Sequence, residues 1–291
     1  MKDNIQYAYY SHHKCATGWT NSIFRELCFH LGLQHRTAHG PQQYEEAGGL
    51  KEWMARHNVE FLAYTNAEIS EVKRLPQHRG VHVVRDPRDV LVSAYFSHLH
   101  SHPTEQWPEL ERHRDALQSL SKEEGLLKEI EFSRPFLIAM REWDYEQESV
   151  LEMKMEELTA EPVASFRLVL QHLGLFHREP GRRAGTLKKL WQYGNRGLYK
   201  AHHEFPLPLP PRLRKEKTVH PDVLDAILEA HRFEKMASGR SKGEADPESH
   251  YRKGKPGDWK NYFTDRVAQS FQDTYGDIVR RLGYGESGTE N

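Results

Sequence analysis

Strand-like and helix-like segments alternate along this chain of 291 residues. Short apolar runs rich in β-forming residues are found at 5–10, 59–64, 80–84 and 150–155. Segments with helical spacing lie between them, at 21–33, 87–99, 108–120, 122–142 and 161–174. Because a strand that returns to its sheet through a helix pairs in parallel, the alternation predicts an α/β fold. We expect a mainly parallel central sheet flanked by helices on both faces.

The second half of the chain is less regular. A proline-rich stretch at 205–211 cannot be helical and is expected to run extended. Helical patterns return at 222–233 and 264–282, with a long loop rich in glycine, serine and charge at about 236–258. We expect this loop to cover a ligand. No composition change marks a domain boundary, so we predict a single domain over 1–291.

Charge and cysteine content restrict the class of protein. Lys and Arg total 41 against 42 Asp and Glu, so no global basic field favours nucleic acid or an anionic membrane as a partner. Cys15 and Cys28 are the two cysteines, too few for a disulfide framework. The first residues lack the apolar core of a signal peptide, and no apolar run reaches membrane-spanning length. These features predict a cytoplasmic protein.

The first candidate site follows the first strand. A strand that enters a tight turn and then a helix presents backbone N–H groups and a positive dipole end to an anion. The turn contains Lys14, with Thr17 and Thr20 as hydroxyl donors beside it. A Walker A sequence is absent, because no Gly-Lys-Ser/Thr ends the loop. The segment therefore predicts a P-loop-like phosphate site with an early lysine.

The second candidate site begins where the strand at 80–84 ends, which is where ligands of open α/β sheets bind. Arg85 can bind a phosphate bidentately, and Ser93 follows two helical turns later with a hydroxyl. Pro87 suits the first turn of the intervening helix. Arg88 and Asp89 fit a surface ion pair.

The third candidate site lies in the long loop. Arg252 and Lys253 supply two cations, and Gly254 lets the backbone approach a phosphate closely. Asp258, Trp259 and Asn261 are expected to fix the loop rather than to touch a ligand.

Together the three segments resemble the cytosolic-type sulfotransferases, enzymes that use 3′-phosphoadenosine 5′-phosphosulfate (PAPS) and release 3′-phosphoadenosine 5′-phosphate (PAP). The family loop Pro-Lys-Ser-Gly-Thr-Thr-Trp is matched at Lys14, Thr17 and Trp19. Its glycine is replaced by Ala16, and its second threonine by Gly18. The family signatures Arg-Asp-Pro-Arg-Asp and Arg-Lys-Gly-x-x-Gly-Asp-Trp-Lys-Asn recur at 85–89 and 252–261. The resemblance runs from residue 5 to residue 264.

The resemblance implies a sulfotransferase that transfers a sulfuryl group from PAPS to a hydroxyl or amine of a small-molecule acceptor, without a metal. Lys14 would stabilise the leaving phosphate, and Trp19 would lie near the adenine. Implied donor-binding residues are Lys14, Cys15, Ala16, Thr17, Gly18, Trp19, Thr20, Arg85, Ser93, Phe233, Met236, Arg252, Lys253 and Gly254. The family dimer motif is broken at Asp265 and Gln269, which leaves a monomer or weak homodimer.

The general base is not evident from the motifs. The family histidine position corresponds to Asn66, which cannot accept a proton. Glu68 and His98 are the candidate catalytic bases. The spacing of His98, His100 and His102 suits a strand rather than the helix expected there, so we predict no metal site.

Two alternatives fit part of the sequence. A small-molecule kinase with a variant phosphate loop would use ATP and magnesium. A non-catalytic nucleotide-binding module would bind the donor but, lacking a base, would form no product.

Overall fold

The computed structural model describes residues 7–105, 107–177, 182–204, 215–249 and 251–285. The proline-rich stretch 205–211 lies outside these residues. The chain forms two compact units, each built from three separate stretches. The first unit contains residues up to Ser11, 16–83 and 144–231, and the second contains 12–15, 84–143 and the residues from Arg232 onward. The prediction of one domain over 1–291 stays a prediction.

The first unit carries a five-stranded sheet of order β2-β3-β1-β4-β5. The strands are β1 (Tyr7–Ser11), β2 (His35–Ala38), β3 (Phe61–Tyr64), β4 (Arg79–Val84) and β5 (Val150–Lys154). Neighbouring strands from β2 to β4 pair in parallel, and Tyr9 lies opposite Ala63 on one side and Val81 on the other. The predicted α/β class with a mainly parallel, P-loop-like sheet flanked by helices is confirmed.

The helices complete both units. They are α1 (Thr17–Leu31), α2 (Leu50–Arg56), α3 (Ile69–Val72), α4 (Pro87–Phe96), α5 (Pro108–Gln118), α6 (Lys122–Phe132), α7 (Arg134–Glu142), α8 (Met155–Ala160), α9 (Pro162–His172), α10 (Arg182–Glu204), α11 (Pro221–Ala230), α12 (Phe233–Met236) and α13 (Asp265–Arg281). Within the ranges given above, no helix is long and apolar enough to cross a membrane.

An aromatic core holds α1 and α9 to the sheet of the first unit. The Phe24 ring lies 5.2 Å from Tyr9, 4.9 Å from Phe61 and 5.8 Å from Phe166, measured between ring centroids. All four side chains are buried. Burial of each such ring stabilises the unit by roughly 1.5–3 kcal/mol, so the core fixes the start of α1 against the strand ends.

Helices dominate the second unit. Tyr95 of α4 packs on Gly125 of α6, where an added Cβ would lie 2.7 Å from the tyrosine ring. The Tyr275 hydroxyl of α13 donates to the carbonyl of Ile130, at 2.8 Å. One long helix over 122–142 was predicted, and that prediction was wrong. The helix ends at Phe132 and restarts at Arg134, because Pro135 suits only the first turn of a helix.

Candidate phosphate-binding site

The turn between β1 and α1 has an unusual backbone. Lys14 and Ala16 both have left-handed conformations, with φ of 63° and 54°. Cys15 is buried, and its N–H donates to the carbonyl of His12, at 3.2 Å. Ala16 thus takes a glycine-like conformation at the position where the resembled family has glycine. Gly18, where that family has threonine, is exposed in the first turn of α1.

The first turn of α1 carries the other predicted donor-binding residues of this loop. The Thr17 hydroxyl lies 3.2 Å from that of Ser11. The Thr20 hydroxyl is buried and has no hydrogen-bond partner within the described chain. The indole N–H of Trp19 donates to the carbonyl of His231, at 2.7 Å. Trp19 is therefore positioned by its own unit, and its place near an adenine stays a prediction.

The positive charges of Arg85 and Arg252 affect the Lys14 side chain, and all three residues belong to the second unit. One guanidinium nitrogen of Arg85 donates to the carbonyl of Lys14, at 3.1 Å. Burial, together with the charges of Arg85 and Arg252, lowers the pKa of Lys14 to about 8. Ser93 lies half-buried on α4. The structure thus brings together Lys14, Arg85 and Arg252, which lie far apart in sequence.

A buried carboxylate positions the cations of the long loop. Asp258 pairs with Arg252 at 2.6 Å, and it also pairs with Lys253. The Asn261 amide donates to the same carboxylate, at 2.9 Å. Burial alone would raise the pKa of Asp258, but these hydrogen bonds lower it below its ordinary value. Asp258 and Asn261 therefore do fix the loop, as the sequence indicated.

Gly254 lies directly against an aromatic ring. Its φ is 65°, and an added Cβ would lie 2.5 Å from the Phe233 ring. A side chain at this position would therefore displace the ring, so the close approach requires glycine. Phe233 and Met236 are half-buried on α12.

Arg88 and Asp89 were predicted to form a surface ion pair, and this prediction was wrong. Both side chains are buried. Arg88 pairs with Asp86 at 2.7 Å, and its guanidinium lies 4.0 Å from the centroid of Trp259. Asp89 accepts from the backbone N–H groups of Gly257 and Trp259, at 2.6 and 3.0 Å. This contact could not be predicted from the sequence, because the partners of Asp89 lie about 170 residues further along the chain.

The candidate base His98 is fully buried among polar partners. Its Nδ1 lies 2.9 Å from Glu129, and its Nε2 lies 3.0 Å from Nε2 of His13. His113 Nε2 lies 2.8 Å from the other carboxylate oxygen of Glu129. Both His98 nitrogens are thus engaged within the second unit, and no surface remains for contact with an acceptor. Sequence reasoning missed His13, His113 and Glu129, since no motif contains the last two.

The second candidate base, Glu68, lies in the first unit. It is the half-buried residue that precedes α3. Burial raises the pKa of its carboxyl group, and the nearby charges of Glu71 and Glu45 raise it further. Asn66 lies in the turn after β3, and its amide donates to the carbonyl of His39, the residue after β2, at 2.8 Å. Glu68 stays a predicted base without a specific contact that supports it.

A different set of residues has the composition of a metal site. Ligand atoms of His98, His113 and Glu129 lie within 4.8 Å of one another. His100, by contrast, is exposed, so the spacing-two histidines do not converge. Direct hydrogen-bond distances join Glu129 to both rings, which makes a hydrogen-bonded cluster the simpler description.

Comparison with known proteins bears on the C-terminal part and on the fold. The family model described as "Sulfotransferase domain" matches residues 215–283, which contain the Arg252–Asn261 segment. None of the curated protein sequences that were compared matches the chain. The chain is similar to a crystal structure of mouse sulfotransferase SULT7A1 complexed with PAP, with 16% identity and a TM-score of 0.51. The similarity covers 98% of this chain and 87% of the mouse chain.

Two structures of retinol dehydratase are more distant. One is in complex with androsterone and the inactive cofactor PAP, with 16% identity and a TM-score of 0.45. The other is in a complex with retinol and PAP, with 14% identity and a TM-score of 0.47. Each comparison covers 96% of this chain and 82% of the other. The protein thus has the sulfotransferase fold and matches the sulfotransferase family over residues 215–283, which confirms the family resemblance.

Proposed function

We propose that this protein is a sulfotransferase that uses PAPS as donor and a small molecule with a hydroxyl or amine as acceptor. The convergence of Lys14, Arg85 and Arg252 in one unit is the observation that carries the proposal. Like charges this close raise the free energy of the free protein, and a bound polyanion removes that cost. A nucleotide with phosphates at its 3′ and 5′ ends supplies two such anionic groups.

Two further features of the second unit support a phosphate ligand. Arg85 Nε is buried and makes no hydrogen bond to any part of the chain that the structure describes. A buried unpaired guanidinium N–H is costly, and a phosphate oxygen would satisfy it. Gly254 provides a backbone without a side chain beside Phe233. We assign Arg85, Ser93 and Arg252–Gly254 to the 3′-phosphate, and Phe233 and Met236 to the adenine.

Lys14 is assigned to the other end of the donor, together with its neighbour Cys15 in the same unit. In an in-line transfer the acceptor oxygen or nitrogen forms a bond to sulfur while the bond from sulfur to the bridging oxygen breaks. The electron pair stays on the 5′-phosphate of PAP. The Lys14 ammonium stabilises this charge, which grows only as the bond breaks. No step in this scheme requires a metal.

The proposal is tested with PAP binding by calorimetry and with transfer from labelled PAPS to an acceptor panel. Arg252→Ala removes one charge-assisted contact, worth about 1.5–3 kcal/mol, so PAP affinity should fall roughly 10- to 150-fold. Arg266→Ala is the matched control, because the Arg266 side chain is 68% exposed and its ion pair with Glu123 is long, at 3.9 Å. Its PAP affinity should stay at the wild-type value.

Each competing function gives a different result. A kinase would use ATP with magnesium and would bind AMP as well as PAP. A non-catalytic module would bind PAP but form no sulfated product with any acceptor. Unchanged PAP affinity in Arg252→Ala would remove this arginine from the site.

A further inference from the structure

The helix α10 exposes apolar side chains to solvent. Leu187, Leu190 and Trp191 are 60%, 63% and 40% exposed. Spacings of three and four residues place them on one face of the helix. Tyr193, which follows Leu190 by three residues, extends this face and is 39% exposed. The apolar face of a surface helix normally packs on the core, so a grouped set of exposed apolar side chains indicates a binding surface.

The polar face of α10 is the buried one. Gln192 is fully buried, and its amide donates to the carbonyl of Thr218, at 2.8 Å. Its side-chain oxygen accepts from the N–H of His220, at 2.9 Å. One turn further on, Arg196 pairs with the buried Glu26 of α1, also at 2.9 Å. These residues all belong to the first unit, and the apolar face cannot turn inward without leaving buried polar groups unpaired.

Positive charge is concentrated in the stretch that contains α10. Residues 178–217 include eleven Lys or Arg and three Glu, a net charge of +8 in a chain whose total is −1. Lys188, Lys189 and Arg196 pair with acidic residues of the first unit. Exposed cations in the described part of this stretch are Lys200, Lys215 and Lys217. We expected no membrane partner from the charge of the whole chain, but that balance does not hold locally.

We propose that α10 is an interfacial helix that binds reversibly to a surface of anionic phospholipids. Leu187, Leu190 and Trp191 enter the boundary between headgroups and acyl chains, and the exposed lysines contact the anionic headgroups. Lys200 follows Tyr193 by seven residues, or two helical turns, so its ammonium borders the apolar face. This binding goes beyond the proposed sulfuryl transfer and does not rest on it.

The apolar face and the charge together select this occupant. An RNA or another soluble polyanion would satisfy the lysines, but it offers no apolar phase for two leucines. A second copy of the chain would cover the leucines, but it would place two stretches of net charge +8 against each other. A bilayer with anionic lipids supplies the apolar phase and the opposite charge at once, and tryptophan is enriched at such interfaces.

The test is sedimentation of the whole protein with vesicles. One set contains about one-third phosphatidylserine in phosphatidylcholine, and the other contains phosphatidylcholine alone. We expect the wild type to bind the anionic vesicles more tightly, by about tenfold or more, since each lysine near such a surface contributes about fivefold. At about 1 M salt the preference should disappear, because the screening length falls from about 10 Å to about 3 Å.

Single variants separate the apolar and the charged contributions. Leu190→Gln should lower binding to anionic vesicles about tenfold, because a side chain that is mostly exposed in the free protein is buried in the bilayer. Lys200→Gln should lower it about fivefold. Leu168→Gln is the matched control, an exposed leucine of α9 in the same unit, and it should bind as the wild type does. All three variants should keep Tm within about 2 °C of the wild type.

Trp191 gives a direct readout of insertion. The chain has six tryptophans, so the emission of this one is the difference between the wild type and Trp191→Phe. It should shift to shorter wavelength with anionic vesicles, and brominated lipids should quench it. An unshifted Trp191 emission in bound protein would overturn the orientation of the helix and with it the proposal.

The other occupants give results of their own, each of which overturns the proposal. Failure of the wild type to bind anionic vesicles, or wild-type binding by Leu190→Gln, would remove the lipid surface as the ligand of this face. A wild-type dimer that Leu190→Gln converts to a monomer, without vesicle binding, would make the face an interface between copies. Binding to RNA that depends on Lys200 but not on Leu190 would show recognition by charge alone. The vesicle assay uses neither PAPS nor an acceptor, so its failure is distinguishable from failure of the proposed function.

Discussion

Lys14 combines a strained backbone with a perturbed side chain. Its φ of 63° is left-handed, and burial with the neighbouring guanidinium groups lowers its pKa to about 8. A left-handed conformation costs a non-glycine residue roughly 1–2 kcal/mol. Such costs persist where the surrounding structure imposes them, and functional sites are where they concentrate. At neutral pH the group is mostly an ammonium, but its charge is only weakly favoured until an anion binds.

This pKa predicts proton uptake when PAP binds. At pH 8 about half of the Lys14 side chains in the free protein are neutral, given the pKa of about 8. A bound phosphate favours the ammonium and raises its pKa, so binding should take up about half a proton at pH 8, where the phosphates of PAP (second pKa about 6) are already ionised. Calorimetry in two buffers of different ionisation enthalpy measures this number directly.

Lys14→Arg is the matched variant, because a guanidinium stays charged over this range. It should bind PAP with little proton uptake at pH 8. Proton release on binding, or equal uptake in Lys14→Arg and the wild type, would show that Lys14 does not face the phosphates.

The sequence singled out those residues of the cluster that a motif surrounds, and it missed residues that no motif contains. Lys14, Arg85 and Arg252 were found because strand ends and loop signatures precede or enclose them. Glu129 was not, since its partners His98 and His113 lie 31 and 16 residues away and are joined only by tertiary packing. Ala16 was identified as a replaced glycine, but its left-handed backbone required coordinates.

At the scale of elements, hydrogen bonds join α4 to the turn Asp258–Asn261. Asp86 caps α4 by accepting from the Arg88 N–H, at 3.0 Å. One turn later, Asp89 accepts from the N–H groups of Gly257 and Trp259. The helix that begins after Arg85 therefore fixes the start of the turn whose Asp258 pairs with Arg252. Two segments that the sequence offers as separate phosphate motifs are structurally coupled.

Asp89→Asn should break this coupling. An amide oxygen is neutral, and it cannot replace both carboxylate oxygens as acceptors. Since a hydrogen bond to a charged group contributes about 1.5–3 kcal/mol, the free energy of unfolding should fall by about that amount. PAP affinity should fall as well, because Arg252 loses its fixed position.

Urea denaturation and PAP titration measure the two effects, with Asp115→Asn as the control on an exposed face of α5. If Asp89→Asn lost stability but bound PAP with wild-type affinity, α4 would support the fold without organising the site.

Sequence patterns located most of the longer elements to within a few residues, but they missed the helices α2, α3, α8, α10 and α12. Two other differences have physical causes. The edge strand β2 was missed because its residues His35–Ala38 include only one apolar side chain. An edge strand has one sheet neighbour and needs less apolar surface. The break at Ser133 was missed because apolar periodicity continues on both sides, although Pro135 marks it.

At the scale of the whole molecule, the division into two units was not readable from the sequence. Each unit is assembled from three separate stretches, so no linker marks a boundary. The sheet belongs to the first unit, whereas Lys14, Arg85 and Arg252 belong to the second. Composition gave no hint of this concentration, because the 41 basic and 42 acidic residues balance over the chain. The fold, and not a local cluster of basic residues in the sequence, brings these three cations into one unit.

This concentration of positive charge predicts how ligands change thermal stability. A ligand that binds only the folded protein stabilises it by about 2.7 kcal/mol at 100 times its Kd, which for a chain of this size raises Tm by about 5 °C. PAP should give this shift. AMP at the same concentration should give much less, because without a 3′-phosphate it leaves Arg85 and Arg252 unpaired. Added salt should shrink the difference by screening the same charges. Differential scanning fluorimetry with both nucleotides measures the two Tm shifts. Arg252→Ala should reduce the PAP shift toward that of AMP. Equal shifts for PAP and AMP in the wild type would mean that the 3′-phosphate is not recognised.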